Sequence, residues 1–341
     1  MNAGRDVVAV FFVASPLHYL AARRVALDHE ANSRRVIVPY RPDARRFIDA
    51  SDWDAVAYAP WPRFDPLPGA FGRLRRLKQN IATVAAAVGP CAEIRLHSPV
   101  FDTEAVNYYL RALPRRCGAG TMHARILPDG LMNIARHPLG PVREAAQWLR
   151  KLRRLAAPEL DYWCFRGDRT AAEAPFVDRI YTLAGFPHDY PRGRTVELAP
   201  LMQRRSDDSG SSAIVIGQPL QALGVMSQAD HDATRDEIAR WCLERGIDDI
   251  VYKGHPRDGR DEFRPAGARK IELDVPLEVH LSQTPYRAVL GVNSTALFLA
   301  RQICAPSTAV VSFGTDRIRT QVPQQHQASR EMMDRLGIER R

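Results

Sequence analysis

The sequence predicts an α/β protein made of two Rossmann-like domains that face each other across a cleft. Short runs of β-branched residues alternate with helical stretches, which is typical of parallel sheets covered by helices. The chain has 341 residues, more than a single hydrophobic core usually serves. Residues 203–212 are polar, charged and small, the composition of a linker. We therefore place one domain at 1–203, a second at 213–325, and a last helix in 326–341 that can pack back on the first domain.

Four apolar runs are the predicted strands of the first domain, and three segments between them are its predicted helices. Ser15 and Pro16 start the first helix, because a hydroxyl side chain caps it and proline presets its first turn. The strands are Val7–Ala14, Arg35–Val38, Glu93–His97 and Ala124–Leu127. The helices are Leu17–His29, Arg73–Val88 and Thr103–Leu113.

The second domain repeats this alternation. Its predicted strands are Ala213–Ile216, Ile250–Lys253, Lys270–Leu273, Ala288–Val292 and Ala309–Ser312. Its predicted helices are Ala229–Arg245, Leu277–Ser282 and Thr295–Gln302, and the last helix of the chain is Ala328–Leu336. Open α/β sheets bind ligands at the carboxyl ends of their strands, so we look for chemistry there.

The chain carries a formal net charge of +9, contributed largely by arginine. A basic surplus attracts nucleic acid, an anionic membrane or an acidic substrate, and charge alone does not separate these partners. No nucleic-acid-binding motif is present, which argues against the first. The longest early apolar run, Val7–Ala14, is too short to span a bilayer and lacks the layout of a cleavable signal. We therefore expect a cytoplasmic protein.

The cysteines are scattered and form no CxxC pair. They are Cys91, Cys117, Cys164, Cys242 and Cys304. An odd number of unpatterned cysteines predicts buried thiols in a reducing compartment and argues against structural zinc.

A carboxylate follows the fourth predicted strand of the first domain. Asp129 stands at the end of that strand, and Gly130 behind it permits a positive φ or a close approach of backbone. An aspartate in this place can accept a proton from a sugar hydroxyl as a general base. An Asp-Gly pair is also a common plain turn. For the pair alone, both interpretations stay open.

A histidine follows the second predicted strand of the second domain. His255 stands between Gly254 and Pro256, and the proline fixes the turn that holds the imidazole. Lys253 and Arg257 flank it, which indicates an anion nearby. The histidine is interpreted as a hydrogen-bond donor to phosphate or a general acid to a leaving group. The alternative is a solvated loop histidine.

Small hydroxyl residues join the fourth strand of the second domain to its next helix. The start of a helix offers N–H groups and a positive dipole end, so it binds phosphate readily, and Ser294 and Thr295 add hydroxyl donors. Alternatively, Asn293 or Ser294 caps the helix, a role compatible with phosphate contact. A phosphate site and a histidine on one domain, with a base on the other, suit a transferase that binds nucleotide in its C-terminal half and acceptor in its N-terminal half.

In this order, the three segments resemble the signatures of bacterial sialyltransferases of the GT-B fold, above all the capsule polysialyltransferases, with the lipooligosaccharide sialyltransferases as near relatives. The matching pairs are Asp129-Gly130, His255-Pro256 and Ser294-Thr295. Ala14-Ser15-Pro16-Leu17-His18 also resembles the Ser-Pro-Leu that follows the first strand in these families. The sequence departs from them at Pro128, which replaces the first acid of an acidic pair and leaves the tuning of the base open.

The resemblance implies an inverting transfer of sialic acid, or a related nonulosonic acid, from a CMP-activated donor to a bacterial surface glycan of the capsule or lipooligosaccharide type. It implies no metal and no other cofactor. Asp129 would act as the general base, and His255 would stabilise or protonate the departing CMP phosphate. The other implied contacts are Lys253, Pro256, Ser294 and Thr295 at the phosphate, Glu278 at the ribose, Gly217 and Gln218 beside the nucleotide, and Ser15, His18 and Gly130 on the acceptor side.

Several alternatives stay open. Another GT-B transferase, using CMP-Kdo or a UDP-sugar, also binds phosphate with helix ends and basic residues. The incomplete acidic pair leaves room for a catalytically inactive glycan-binding relative. For Glu278 the alternative role is a favourable charge in the first turn of a helix.

Two basic segments raise a separate question. Arg143–Arg154 predicts a basic helix that also carries Trp148, Leu149 and Leu152. Such a helix can lie on anionic lipid at the inner membrane, face a polyanionic glycan, or present a solvated surface. Arg73–Lys78 is a second basic cluster with the same alternatives.

Overall fold

The chain folds into two compact units, each built on one parallel sheet. The computed structural model describes residues 6–130, 138–186, 188–202, 210–255, 259–319 and 323–341. Unit 1 comprises Met1–Ala184 and His188–Leu201, and unit 2 comprises Gly185–Pro187 and Met202–Arg341. This arrangement confirms the predicted class of two parallel-sheet α/β domains. Of the predicted linker, residues 203–209 lie outside the described residues.

Unit 1 holds the first sheet. Its described strands are β1 (Val7–Val13), β2 (Arg34–Pro39), β3 (Ala55–Val56), β4 (Glu93–Ser98), β5 (Thr121–Ile126), β6 (Val177–Leu183) and β7 (Thr195–Leu198). Its described α-helices are α1 (Pro16–Asp28), α2 (Gly72–Val88), α3 (Tyr109–Cys117) and α4 (Pro141–Lys151). The strands run in the order β3-β2-β1-β4-β5-β6-β7, and all of them pair in parallel.

The apolar runs recognised in the sequence form the centre of this sheet. Residues 8–13 of β1 are fully buried, as expected for a strand covered by helices on both faces. Helix α2 buries Leu77, Ile81, Val84 and Val88, which recur at the three- and four-residue spacing of one helix face. The core of unit 1 therefore lies between its sheet and the helices that follow each strand.

Unit 2 holds the second sheet. Its described strands are β8 (Ala213–Ile216), β9 (Ile250–Lys253), β10 (Arg269–Lys270), β11 (Ala288–Gly291), β12 (Ala309–Ser312) and β13 (Glu339–Arg340). Its described α-helices are α5 (Gln228–Glu244), α6 (Leu277–Gln283), α7 (Thr295–Ile303) and α8 (Pro323–Arg335). The strand order is β10-β9-β8-β11-β12-β13, again parallel throughout. No helix among the described residues combines the length and apolar character needed to cross a bilayer.

The C-terminal segment 326–341, which the sequence analysis set apart, belongs to unit 2. Strand β13 pairs with β12, and the hydroxyl of Ser329 in α8 donates to Oδ1 of Asn293 at 2.6 Å. Met332 and Met333 are fully buried. A strand pairing and two buried side chains fix this segment within the second unit.

Several predicted elements differ from the structure for local reasons. Thr103–Leu113 was expected to be helical, but α3 begins only at Tyr109, because the Asn107 side chain bonds to the backbone of Phe101 and Trp163 and holds the preceding residues in turns. The predicted strand at 270–273 is displaced, since β10 pairs with β9 only at residues 269–270. Strands β3, β6, β7 and β13 were not predicted. Of the five cysteines, Cys91 and Cys164 are half-buried and the other three are buried.

A buried network of charges joins the strands of unit 1. The side chain of Glu30, just after α1, is fully buried and accepts from Arg95 at 2.9 Å, from Ser33 at 2.7 Å and from Arg125. His97 Nε2 lies 3.3 Å from the same carboxylate. Burial alone would raise the pKa of Glu30, but the contacts with His97 and Ser33 and the charge of Arg125 hold that pKa well below its usual range. Glu30 is therefore ionised and ties α1 to β4 and β5.

Replacing Glu30 with glutamine should lower the free energy of unfolding by about 3–5 kcal/mol at neutral pH, because Arg95 and Arg125 lose a buried counter-charge. Since the folded pKa of Glu30 lies below the unfolded one, its contribution is complete above the unfolded pKa of about 4.3 and declines as the pH falls below it. The difference in free energy of unfolding between the wild type and Glu30→Gln should therefore become smaller at acid pH. Urea denaturation at pH values of about 7, 5 and 3 measures both effects.

Glu93→Gln is the matched control. Glu93 contacts the same Arg95 at 2.6 Å, but both side chains are about a quarter exposed. The expected loss is at most about 1 kcal/mol. Equal losses for the two variants, or a difference that stays constant into acid, would contradict the role given to Glu30.

Candidate active site

In unit 1, the turn from β1 into α1 is shaped by Ser15. Its side chain accepts a hydrogen bond from the backbone N–H of His18 at 3.3 Å, and Pro16 occupies the first helical turn. The predicted helix start is therefore confirmed. Because Ser15 caps the helix, His18 is placed in the first turn, at the edge of the sheet where the strands end.

His18 meets Asp129, the predicted base. The N–H of Ala14 donates to His18 Nδ1 at 3.3 Å, which assigns the imidazole proton to Nε2. Nε2 then donates to Asp129 Oδ1 at 2.7 Å. The histidine side chain is 8% exposed and that of Asp129 is 32% exposed, so the pair has a buried end and a solvent-accessible end. The sequence analysis placed both residues at this edge but did not predict their contact.

Two further residues complete this edge of unit 1. Gly130 has φ of 49°, the left-handed region that the sequence analysis anticipated for it. Tyr40 directly follows β2, and burial together with the negative charge of Asp129 raises its pKa, so its hydroxyl stays protonated. Sequence reasoning missed Tyr40; its position immediately after a strand was the available signal.

In unit 2, the ends of β8 and β11 are joined by a two-point amide contact. The Gln218 side chain accepts from the N–H of Asn293 at 2.8 Å and donates to the carbonyl of Asn293 at 2.9 Å. Gly217 precedes it where a Cβ atom would lie 2.2 Å from the Tyr252 hydroxyl oxygen, so only glycine fits. Gln218, predicted to lie beside the nucleotide, thus positions the loop that leads into α7.

Ser294 is the N-cap of α7. Its hydroxyl accepts from the N–H of Ala296 at 3.2 Å, and Thr295 is the first helical residue. Of the two predicted capping residues, Ser294 is the one that caps, while Asn293 is held by Gln218 and Ser329. The start of α7 is therefore well fixed, with Ser294 and Thr295 both half-buried. Such a helix start is suited to bind an anion.

His255 lies just beyond β9, on the other side of β8 from β11. It is half-buried. Lys253, the last residue of β9, donates from Nζ to the carbonyl of Gly254 at 2.9 Å. His255 follows β9 and Ser294 follows β11. Because these two strands lie on either side of β8, they are about 10 Å apart. Pro256 and Arg257 lie outside the described residues, so their predicted roles stay predictions.

Glu278 lies in the first turn of α6, where the sequence placed it. Its side chain is half-buried, and burial raises the pKa of its carboxyl. The predicted ribose contact of Glu278 stays a prediction. The favourable charge in a helix first turn, the alternative considered for this residue, is equally compatible with its position.

Each sheet thus gathers its own set of candidate residues at its carboxyl edge. Ser15, His18, Asp129 and Gly130 stand together in unit 1, with His18 and Asp129 in contact. In unit 2, the described candidates lie at the carboxyl ends of β8, β9 and β11 and in the first turn of α6. They are Gly217, Gln218, Lys253, His255, Glu278, Ser294 and Thr295. Asn293 connects β8, β11 and α8 through its hydrogen bonds. The sequence analysis considered this residue only as a helix cap.

Residues 177–312 match the family model of the alpha-2,8-polysialyltransferases (POLYST). The match covers less than half of the chain; it includes all the candidate residues of unit 2, whereas Asp129 and His18 lie outside it. No curated protein matches the chain. The match and the fold together support a glycosyltransferase.

Several solved structures are similar to this chain. Os79 from O. sativa, in complex with UDP, aligns with a TM-score of 0.52 and 13% identity over 98% of this chain and 86% of that one. A UDP-glucosyltransferase from Polygonum tinctorium aligns with a TM-score of 0.49 and 10% identity over 98% and 85%. The E. coli ADP-heptose lps heptosyltransferase II gives 0.45 and 8% over 90% and 85%. At 13% identity, the likeness to Os79 concerns the fold alone, which is the GT-B fold of two parallel-sheet α/β domains.

Gln218→Ala should lower the free energy of unfolding by about 1–3 kcal/mol, because it leaves the N–H and carbonyl of Asn293 without their partners. Gln221→Ala is the control, since that side chain bonds only to the surface side chain of Gln228 among the contacts seen here. Urea denaturation of both variants measures the effect. A Gln218→Ala protein as stable as Gln221→Ala would show that the contact does not hold the loop.

Proposed function

We propose that the protein transfers sialic acid, or a related nonulosonic acid, from a CMP-activated donor to a hydroxyl of a bacterial surface glycan. The observation that supports this most directly is the start of α7. There Ser294 and Thr295, inside the range that matches the polysialyltransferase family, stand at the carboxyl end of β11. A helix start fixed by a cap and by the Gln218 contact offers oriented N–H groups for a nucleotide phosphate.

The donor side of the proposal is unit 2. Ser294, Thr295 and the first N–H groups of α7 bind the CMP phosphate, and Lys253 adds positive charge. Gly217 brings backbone to the nucleotide, and Glu278 binds ribose hydroxyls. As the bond from the sugar's anomeric carbon to the phosphate oxygen breaks, the electron pair goes to that oxygen. His255 donates a hydrogen bond or a proton to it, which stabilises the charge where it develops.

The acceptor side is unit 1. Asp129 takes the proton of the acceptor hydroxyl, and the acceptor oxygen attacks the anomeric carbon with inversion. His18 donates to one carboxylate oxygen, which holds the carboxylate in one orientation. In the related families a second acid precedes the base; here Pro128 stands in that place. We propose that His18 supplies the positioning that this chain lacks at residue 128. No step of this reaction requires a metal.

Nucleotide screening tests the donor assignment. CMP should raise the melting temperature, whereas UDP, GDP and oligonucleotides should not, because a ligand that binds only the folded state stabilises it. Incubation with CMP-sialic acid and a panel of glycan acceptors should then release CMP and give a product of defined linkage. Stabilisation by UDP but not CMP would replace this donor with a UDP-sugar, and CMP binding with no turnover on any acceptor would favour an inactive glycan-binding relative.

The unit 1 pair can be tested by substitution. Asp129→Asn should lower kcat by about 10²–10⁴ with CMP binding retained, because it removes the proton acceptor but keeps the shape. His18→Leu should lower kcat about tenfold or more, whereas His18→Gln, whose amide can still donate to Asp129, should recover part of it. Asp54→Asn, at a surface ion pair of the same unit, is the control. Full activity of Asp129→Asn would remove the general-base role, and equal losses for the two His18 variants would remove the positioning role.

A further inference from the structure

Helix α4 is built with its apolar side facing outward. Large apolar side chains of α4 and the 3-10 turn Leu152–Leu155 that continues it are mostly exposed. They are Val142, Trp148, Leu149, Leu152 and Leu155, each between 58% and 83% exposed. Val142, Leu149 and Leu152 recur at the spacing of one helix face, and Trp148 lies beside them. We refer to these five side chains as the outward face.

The opposite side of α4 is polar and faces unit 1. Gln147 is buried, and its side-chain oxygen accepts from the N–H of Phe165 at 2.6 Å. Arg153, in the turn after α4, donates to Glu104 at 2.5 Å and to the Tyr108 hydroxyl at 2.9 Å. Hydrogen bonds and ion pairs thus attach the helix to the unit. The usual reason for an apolar helix stripe, burial against the core, does not apply here.

Cationic side chains lie on the segment that carries the outward face and beside Trp148. The carboxylate of Asp161 lies 3.4–3.9 Å from four cationic groups, so one negative charge there faces four positive charges of the described residues. These groups belong to Arg111, Arg115, Lys151 and Arg154. Arg143 and Arg166 are also exposed. A cavity of about 430 Å³ opens beside the face and is lined by Arg111, Trp148, Lys151 and Arg166, with Glu144 as its one acid.

We propose that the outward face docks on an anionic membrane surface, with α4 lying in the plane of the interface. Apolar side chains including a tryptophan, bordered by arginine and lysine, are the composition that inserts at the boundary of headgroups and acyl chains. The cavity beside Trp148 offers cations to an anionic headgroup. A second copy of this chain is the less suitable occupant, because two such faces would bring like charges together. This inference is independent of the transferase proposal.

Vesicle co-sedimentation of the full chain tests the proposal. The protein should partition to vesicles of about three parts phosphatidylcholine to one part phosphatidylglycerol, and weakly or not at all to phosphatidylcholine alone. Raising NaCl from about 0.1 M to about 0.5 M should weaken the binding. Leu149→Glu/Leu152→Glu should reduce partitioning at least about tenfold, with an unchanged melting temperature because both side chains are exposed. The proposal is overturned if the wild type does not partition to the anionic vesicles, or if the double variant partitions to them equally well.

Two further measurements separate this surface from others. Leu27→Glu/Leu243→Glu changes two leucines that are 51% and 73% exposed on α1 and α5, and should leave partitioning unchanged. Brominated lipid should quench the wild-type tryptophan fluorescence more than that of Trp148→Phe. A dimer in solution that the Leu149→Glu/Leu152→Glu variant dissociates, without vesicle binding by the wild type, would identify a second copy as the occupant and overturn the membrane proposal.

Discussion

Parallel pairing of the described strands in both sheets is the constraint on which the rest of this structure depends. Because every strand ends at the same edge, residues far apart in sequence become neighbours there without any special loop. His18 and Asp129 follow β1 and β5, and their contact spans the end of β4, which lies between those strands. In unit 2, the residues after β9, β8 and β11 are brought together in the same way. The candidate site is therefore a consequence of sheet topology before it is one of side-chain chemistry.

At the edge where the strands end, backbone N–H and carbonyl groups need hydrogen-bond partners. In unit 2, amide, hydroxyl and carboxylate side chains provide them. Gln218 serves both backbone groups of Asn293, and Ser294 serves an N–H of α7. The buried carboxylate of Glu262 accepts from the N–H groups of Gln221 and Ala222. Loops held by such contacts lose little freedom on binding, so donors at the start of α7 are oriented in advance. The same residues thus serve stability and, in our proposal, phosphate binding.

Apolar runs made most of this architecture predictable, whereas side-chain pairing did not. Strands β8, β9 and β12 have the predicted bounds because short β-branched runs flanked by turn residues have few other interpretations. Strand β6 was missed because Asp178 and Arg179 interrupt its apolar residues; Asp178 pairs with Arg125 of the neighbouring strand. For the site, strand ends indicated His18 and Asp129 separately. Their contact depends on a histidine rotamer fixed by the Ala14 N–H, which no sequence pattern encodes.

Helix α4 shows why an amphipathic pattern determines a stripe but not the direction in which it faces. A helix ordinarily buries its apolar stripe, because burial removes that surface from water. In unit 1 the neighbouring segments instead offer Glu104 and the Phe165 N–H, and these two groups would lose their partners Arg150, Arg153 and Gln147 if the stripe turned inward. Leaving a half-buried carboxylate and a buried N–H without partners would destabilise the unit, which opposes turning the stripe inward. The polar requirements of the unit therefore orient the helix, and an exposed apolar face is the result.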